Sequence, residues 1–202
     1  MPIGPYIRAT TLDYLEPNDV RAELTKLAAS HPGIMALRSE IKSLGFKPVA
    51  GAKGVWGTKA SWTRSDNQTV SFEISVQSFA KVGSKNQAAL LNVTTVGPDG
   101  ATDIYRCSLQ APGGKWSKAV ERYADKNNRI LPANSYWSRA WRCITGSCGV
   151  PCRNSLVACT GGLAACINDI LALCGGCAVK CLACAACNGR WWCRWAVGSC
   201  RD

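Results

Sequence analysis

Hydrophobic positions recur every three or four residues in two early stretches of the chain. Val20, Leu24 and Leu27 follow Pro17-Asn18-Asp19 at near-helical spacing, which predicts a capped helix over about 19–30. Ile34, Leu37, Ile41 and Leu44 form a second apolar stripe over about 33–44, and Gly45 stands where a helix C-terminal glycine belongs. Together they predict a helical hairpin bent at His31-Pro32. His31, the only histidine, reads as a surface turn residue with no acid or nucleophile beside it.

Beyond Gly57 the period changes to two. Val70, Phe72, Ile74 and Val76 alternate with Ser71, Glu73, Ser75 and Gln77, the pattern of a half-buried antiparallel strand. VWGTKASWT, QAALLNVTTV and TDIYRCSLQ supply three more strands, with Pro98-Asp99-Gly100 as a turn between the last two. A four-stranded meander over about 55–110 is expected. KWSKAVERYADKNNRI, with Trp116, Val120 and Tyr123 on a shared side, reads as one further helix, and LPANSYWSRAWR as a polar, aromatic connector.

The remaining pattern is almost wholly apolar and helical. NSLVACTGGLAACINDILALC, from Asn154 to Cys174, approaches the length of a membrane span, but Gly161-Gly162 weakens it and Asn168-Asp169 places a charge inside it. A buried or interface-seeking helix is the expectation. CAVKCLACAACNG gives another short helix, and RWWCRWAVGSC carries Trp191, Trp192 and Trp195 interleaved with Arg190 and Arg194, a composition suited to a water–lipid interface.

Cysteine usage sharpens this division. Of thirteen cysteines in 202 residues, all but Cys107 lie between Cys143 and Cys200. That density marks a disulfide scaffold, in a segment short enough to need covalent help for its stability. The fold class is therefore α+β: a helical hairpin, a four-stranded meander and a helix, followed by a small disulfide-rich helical domain. The expected boundaries are a first domain over 1–130, a linker with a processing site over 131–142 and a cysteine-rich domain over 143–202.

The net charge is +11, of which +3 belongs to residues 143–202. Such a balance suits an anionic surface or an acidic partner. The upstream lysines and arginines are dispersed and no recognition motif accompanies them, so nucleic acid is not an expected partner. Acid/base pairs, phosphate-cradling loops and nucleophile–histidine arrangements are not recognisable, and no enzyme activity or cofactor is expected. The first twenty residues show no export signal, which conflicts with the oxidising compartment that the cysteines imply.

On helices, Cys159 and Cys166 would share a face, as would Cys177, Cys181 and Cys184. The twelve tail cysteines, Cys143, Cys148, Cys152, Cys159, Cys166, Cys174, Cys177, Cys181, Cys184, Cys187, Cys193 and Cys200, are read as disulfide-forming, with the connectivity open. Cys107 reads as a small buried hydrophobe. The alternative is an intracellular zinc- or iron–sulfur-binding protein: Cys174 and Cys177 with Cys181 and Cys184 make paired CxxC units, and Cys177, Cys181, Cys184 and Cys187 contain cluster-like spacings.

The density of cysteines, the CITGSCGVPC opening and the glycine-punctuated apolar helices resemble the halocin C-eight-like cysteine-rich bacteriocins of archaea and actinobacteria. The resemblance covers about 60 residues, Cys143 to Cys200. It implies a secreted, disulfide-stapled antimicrobial peptide cut from its precursor by a protease, and an upstream domain that contacts and neutralises it or assists its folding. Arg190, Trp191, Trp192, Arg194 and Trp195 would then meet the anionic membrane of competitor cells.

Overall fold

The computed structural model describes residues 7–133, 135–159, 161–174 and 176–186. Strand β1 (Ile7–Tyr14) leads into helices α1 (Pro17–Ser30) and α2 (Pro32–Ser43). The break between the helices follows from Pro32, which holds His31 in an extended conformation (φ −111°, ψ 111°) and cannot accept a continuing helix before it. Proline then serves at the first turn of both helices, where its missing N–H costs nothing. His31 stands at this bend, as expected of a surface turn residue, and is partly buried, with Nδ1 out of solvent.

The sheet is larger than the expected meander. Strands β3 (Val55–Arg64), β4 (Thr69–Lys81), β5 (Gln87–Val96) and β6 (Thr102–Ala111) form that meander, and β1, the short β2 (Phe46–Pro48), β7 (Val120–Ala124) and β8 (Ile130–Ala133) extend it. Eight antiparallel strands run in the order β1-β3-β4-β5-β6-β7-β8, and β2 continues the line of β3 along the end of β4, pairing Phe46 with Lys81 and Pro48 with Phe79.

Two expectations are corrected in 116–147. The helix expected over KWSKAVERYADKNNRI is a short 3₁₀ turn (Trp116–Lys118) followed by the β7–β8 hairpin. Its tight turn is set by Asp125, whose carboxylate accepts the backbone N–H groups of Asn127 (2.9 Å) and Arg129 (2.8 Å), while Asn128 takes φ 61°. The expected connector becomes β8 and then α3 (Tyr136–Ser147), in which Tyr136, Trp137 and Ala140 are buried.

The apolar run from Asn154 to Cys174 is two helices, α4 (Val150–Ala158) and α5 (Leu163–Cys174), and α6 (Cys177–Ala186) follows. Among the described residues no helix is long and apolar enough to cross a membrane.

The sheet separates two helical layers. On one side lie α1 and α2, over Val55, Phe79, Ala88 and Leu90. On the other lie α3–α6, over Trp62, Phe72, Ile74, Val76, Leu91 and Leu109. The polar side of β4, expected in solvent, is covered over its second half: Ser71 is exposed and Glu73 partly so, but Ser75 and Gln77 are buried, and the Ser75 hydroxyl donates to Glu23 of α1 at 3.2 Å. The cysteine-bearing helices share one continuous core with the sheet.

Candidate functional site

Four disulfides are present among the described residues: Cys143–Cys181, Cys148–Cys177, Cys152–Cys174 and Cys159–Cys166. Their order is strictly nested. The chain runs out along α3 and α4, reverses at Gly161-Gly162 and returns along α5 and α6, so each rung ties the outgoing arm to the returning one. Cα–Cα separations of 5.5 to 6.0 Å are those of ordinary bridges. Cys177 and Cys181, four residues apart on α6, lie on one face of that helix, as its spacing requires.

Nesting controls the energetics. Although the bridged residues are 38, 29, 22 and 7 apart, each inner rung shortens the loop that the next one closes. Every rung therefore acts on a loop of roughly ten residues, worth about 2–3 kcal/mol in the chain-entropy account. Cys184 is disulfide-bonded as well. Cys107 is fully buried and free, and burial together with the Glu121 charge pushes its thiol well above the ordinary range, so it stays protonated and inert. Cys187, Arg190, Trp191, Trp192, Cys193, Arg194, Trp195 and Cys200 lie outside the described residues.

The sheet supplies more than an apolar bed. Helix α5 begins at Leu163 without a Ser, Thr, Asp or Asn before it, and Ser78 of β4 takes that role from a distance: its Oγ accepts the Ala164 N–H at 2.8 Å. Gly162 makes the approach feasible. It adopts φ +93°, and a Cβ there would lie 3.0 Å from the Ser78 Cβ.

Helix α3 is capped in the same manner. Ser135 makes no side-chain cap, and the Glu121 carboxylate of β7 accepts the Trp137 N–H at 2.9 Å. Only 1% of Glu121 is exposed, so its charge is held by this helix N-terminus and by the Tyr105 hydroxyl, which also donates to it. Burial, with Cys107 and Glu121 nearby, drives the Tyr105 phenol far above its usual range, so it remains a donor.

Aromatic and backbone contacts complete the docking. Tyr136 stacks on Tyr105 with ring centroids 4.9 Å apart and donates to the Leu182 carbonyl at 3.2 Å, tying α3 to the sheet and to α6. Trp137 Nε1 donates to the Trp116 carbonyl at 2.7 Å, and Arg139 to the Ala185 carbonyl at 2.7 Å. Trp116 in turn donates to Gln87 Oε1 at 3.1 Å. These groups satisfy one another, an arrangement that fixes position and leaves no polar side chain of the set free for chemistry.

The outer surface of the helical layer is different. Arg142, Arg153 and Lys180 of these helices are exposed, and so are Val150, Val157 and Leu173, each by more than half. An open cleft of about 470 Å³ lies beside the Cys159–Cys166 bridge, lined by Lys53, Ser155, Asn168 and Asp169 among others.

Glu121 and Ser78 were not among the residues singled out from sequence. The available signal was negative: α5 opens without a cap residue of its own, so a partner had to come from elsewhere. Comparison with protein-family profiles, curated proteins and solved structures finds no match for this chain.

Proposed function

We propose that the chain is the latent precursor of a secreted, disulfide-stapled antimicrobial module, in which the sheet domain holds the module in a masked form. The observation that carries this reading is the shared core. Leu163, Ala164, Ile167 and Ile170 of α5 and Val179 and Leu182 of α6, the apolar faces that would meet a membrane, are buried against the sheet. The in-trans caps from Ser78 and Glu121 make that coverage specific to these helices.

Processing falls before Tyr136 in this reading. Helix α3 is bridged to α6 by Cys143–Cys181 and leaves with the module, which revises the expected start at Cys143. Separation then exposes the apolar sheet-facing side of a module whose outer surface carries Arg142, Arg153 and Lys180. Each Lys or Arg near an anionic envelope contributes about 1 kcal/mol of attraction, which draws the module to competitor cells. The remaining sheet domain retains the complementary surface and so acts as immunity protein or folding scaffold.

Dye release from anionic vesicles tests the proposal. The intact oxidised chain is expected to be inert, and a chain cut at an engineered protease site between β8 and α3, with its halves separated, to cause release. Re-adding the sheet half should suppress it. Equal release by the intact chain, or none by the purified module, would overturn the reading.

A further inference from the structure

The Cys143–Cys181 and Cys148–Cys177 bridges lie against each other, with Cys148 Sγ 3.8 Å from Cys181 Sγ across the two bridges. The sulfurs of Cys148, Cys177 and Cys181 all lie within 4.8 Å of one another, and Cys143 brings a fourth because it is bonded to Cys181. From this we infer that Cys143, Cys148, Cys177 and Cys181, once reduced, form a tetrahedral thiolate site for zinc that clasps α3 to α6. The inference does not depend on release of the module.

The geometry favours this donor set. Zn–S bonds of about 2.3 Å in a tetrahedron place the sulfurs about 3.8 Å apart, the spacing already held between Cys148 and Cys181. Opening each bridge needs only side-chain rotation to widen the other pairs, because the backbones stand at Cα–Cα 5.5 and 5.7 Å. Cys177 is the first residue of α6, where a helix N-terminus favours the thiolate. Cys143, Cys148 and Cys177 are partly exposed, which gives an ion a way in, while Cys181 is buried.

The set differs from the paired CxxC units suggested by spacing, since Cys174 is drawn away by its bridge to Cys152. Among the described residues no other group of three metal-ligating side chains converges.

The chemistry balances simply. A phosphine reductant opens each bridge to two thiols and becomes the phosphine oxide, taking its oxygen and the two thiol protons from water. Zinc then displaces four protons from the four thiols. The same clasp thus has a metal form under reducing conditions and a disulfide form under oxidising ones.

The test uses the full chain, phosphine-reduced and anaerobic, with and without one equivalent of Zn²⁺, alkylated with iodoacetamide and mapped by peptide mass. Zinc should slow modification of Cys143, Cys148, Cys177 and Cys181 at least tenfold and leave Cys159 and Cys166 unchanged. Protection spread evenly over all cysteines, absent altogether, or centred on Cys159 and Cys166 would overturn the inference. Co²⁺ provides a second readout: tetrahedral thiolate absorption is expected with the unsubstituted chain and lost in Cys148→Ser/Cys177→Ser, whereas its persistence in that variant counts against the site. The alkylation map is read on the unsubstituted chain, so it decides the matter even where the variant does not fold.

Discussion

Helices α1 and α2 cover one face of the sheet through two separate apolar clusters, around Ile34 and Phe79 and around Val20 and Val55. Helices α3–α6 cover the other through one continuous core, and covalent rungs bind them to each other but, among the described residues, not to the sheet. The first layer is held where it lies by packing and by single polar contacts, Ser75 with Glu23 and Arg122 with Glu40, with no covalent link among the described residues. The second is cross-linked within itself, so in the proposed reading it leaves the sheet as one unit, whereas no such cross-link joins α1 to α2.

A charge placed inside the docked interface should give the largest effect. Ile170 is fully buried on α5, and Ile170→Asp sets an unpaired carboxylate between helix and sheet, at a cost of about 4 kcal/mol or more. Urea denaturation should show that loss, with limited proteolysis cutting before α3 and sparing the bridged hairpin. Ile34→Ala on the opposite face should cost about 2–5 kcal/mol and admit proteases within 17–43 instead. Identical cleavage patterns for the two variants would erase the distinction between the faces.

Removing the in-trans caps should weaken docking more gently. Glu121→Ala strands the Tyr105 hydroxyl and the Trp137 N–H, a loss of about 2–3 kcal/mol. Ser78→Ala leaves the Ala164 N–H unpaired, a loss of about 1 kcal/mol. The two residues serve different helices, so the double variant should lose close to the sum of the two single losses. Urea midpoints that fail to move in either single variant would show that the helix ends find other partners.

The hairpin of α1 and α2 and the four central strands were legible because local signals decide them: Pro17, Pro32 and Gly45 punctuate the helices, and strict alternation marks β4. The β7–β8 hairpin was not, because Trp116, Val120 and Tyr123 fall at helical spacing while their conformation is decided by pairing, Tyr123 with Cys107 and Val120 with Gln110. Tertiary pairing overrides the local period there. The same limit hides the docking site. The Ser78–Ala164 contact joins residues 86 apart, and bridge order depends on where the chain reverses, which cysteine spacing does not encode.

The smallest effect separates the two layers by their response to pH. Burial and the neighbouring Glu73 carboxylate raise the Glu23 pKa above its ordinary 4.5, so the folded chain holds that proton more tightly than the unfolded one. Its contribution is whole below pH 4.5 and is lost as pH rises through the raised value. His31 at the α1–α2 joint has the opposite sense: burial and Arg106 lower its pKa from 6.5, so its contribution is whole above pH 6.5 and is lost on acidification. Both groups serve the layer without disulfides, while the bridged cysteines do not titrate. Glu23→Gln should leave stability unchanged at pH 4 and raise the urea midpoint at pH 7, flattening the profile between them. Parallel profiles for the two chains would mean that Glu23 titrates as an ordinary surface carboxylate and that this layer owes nothing to it.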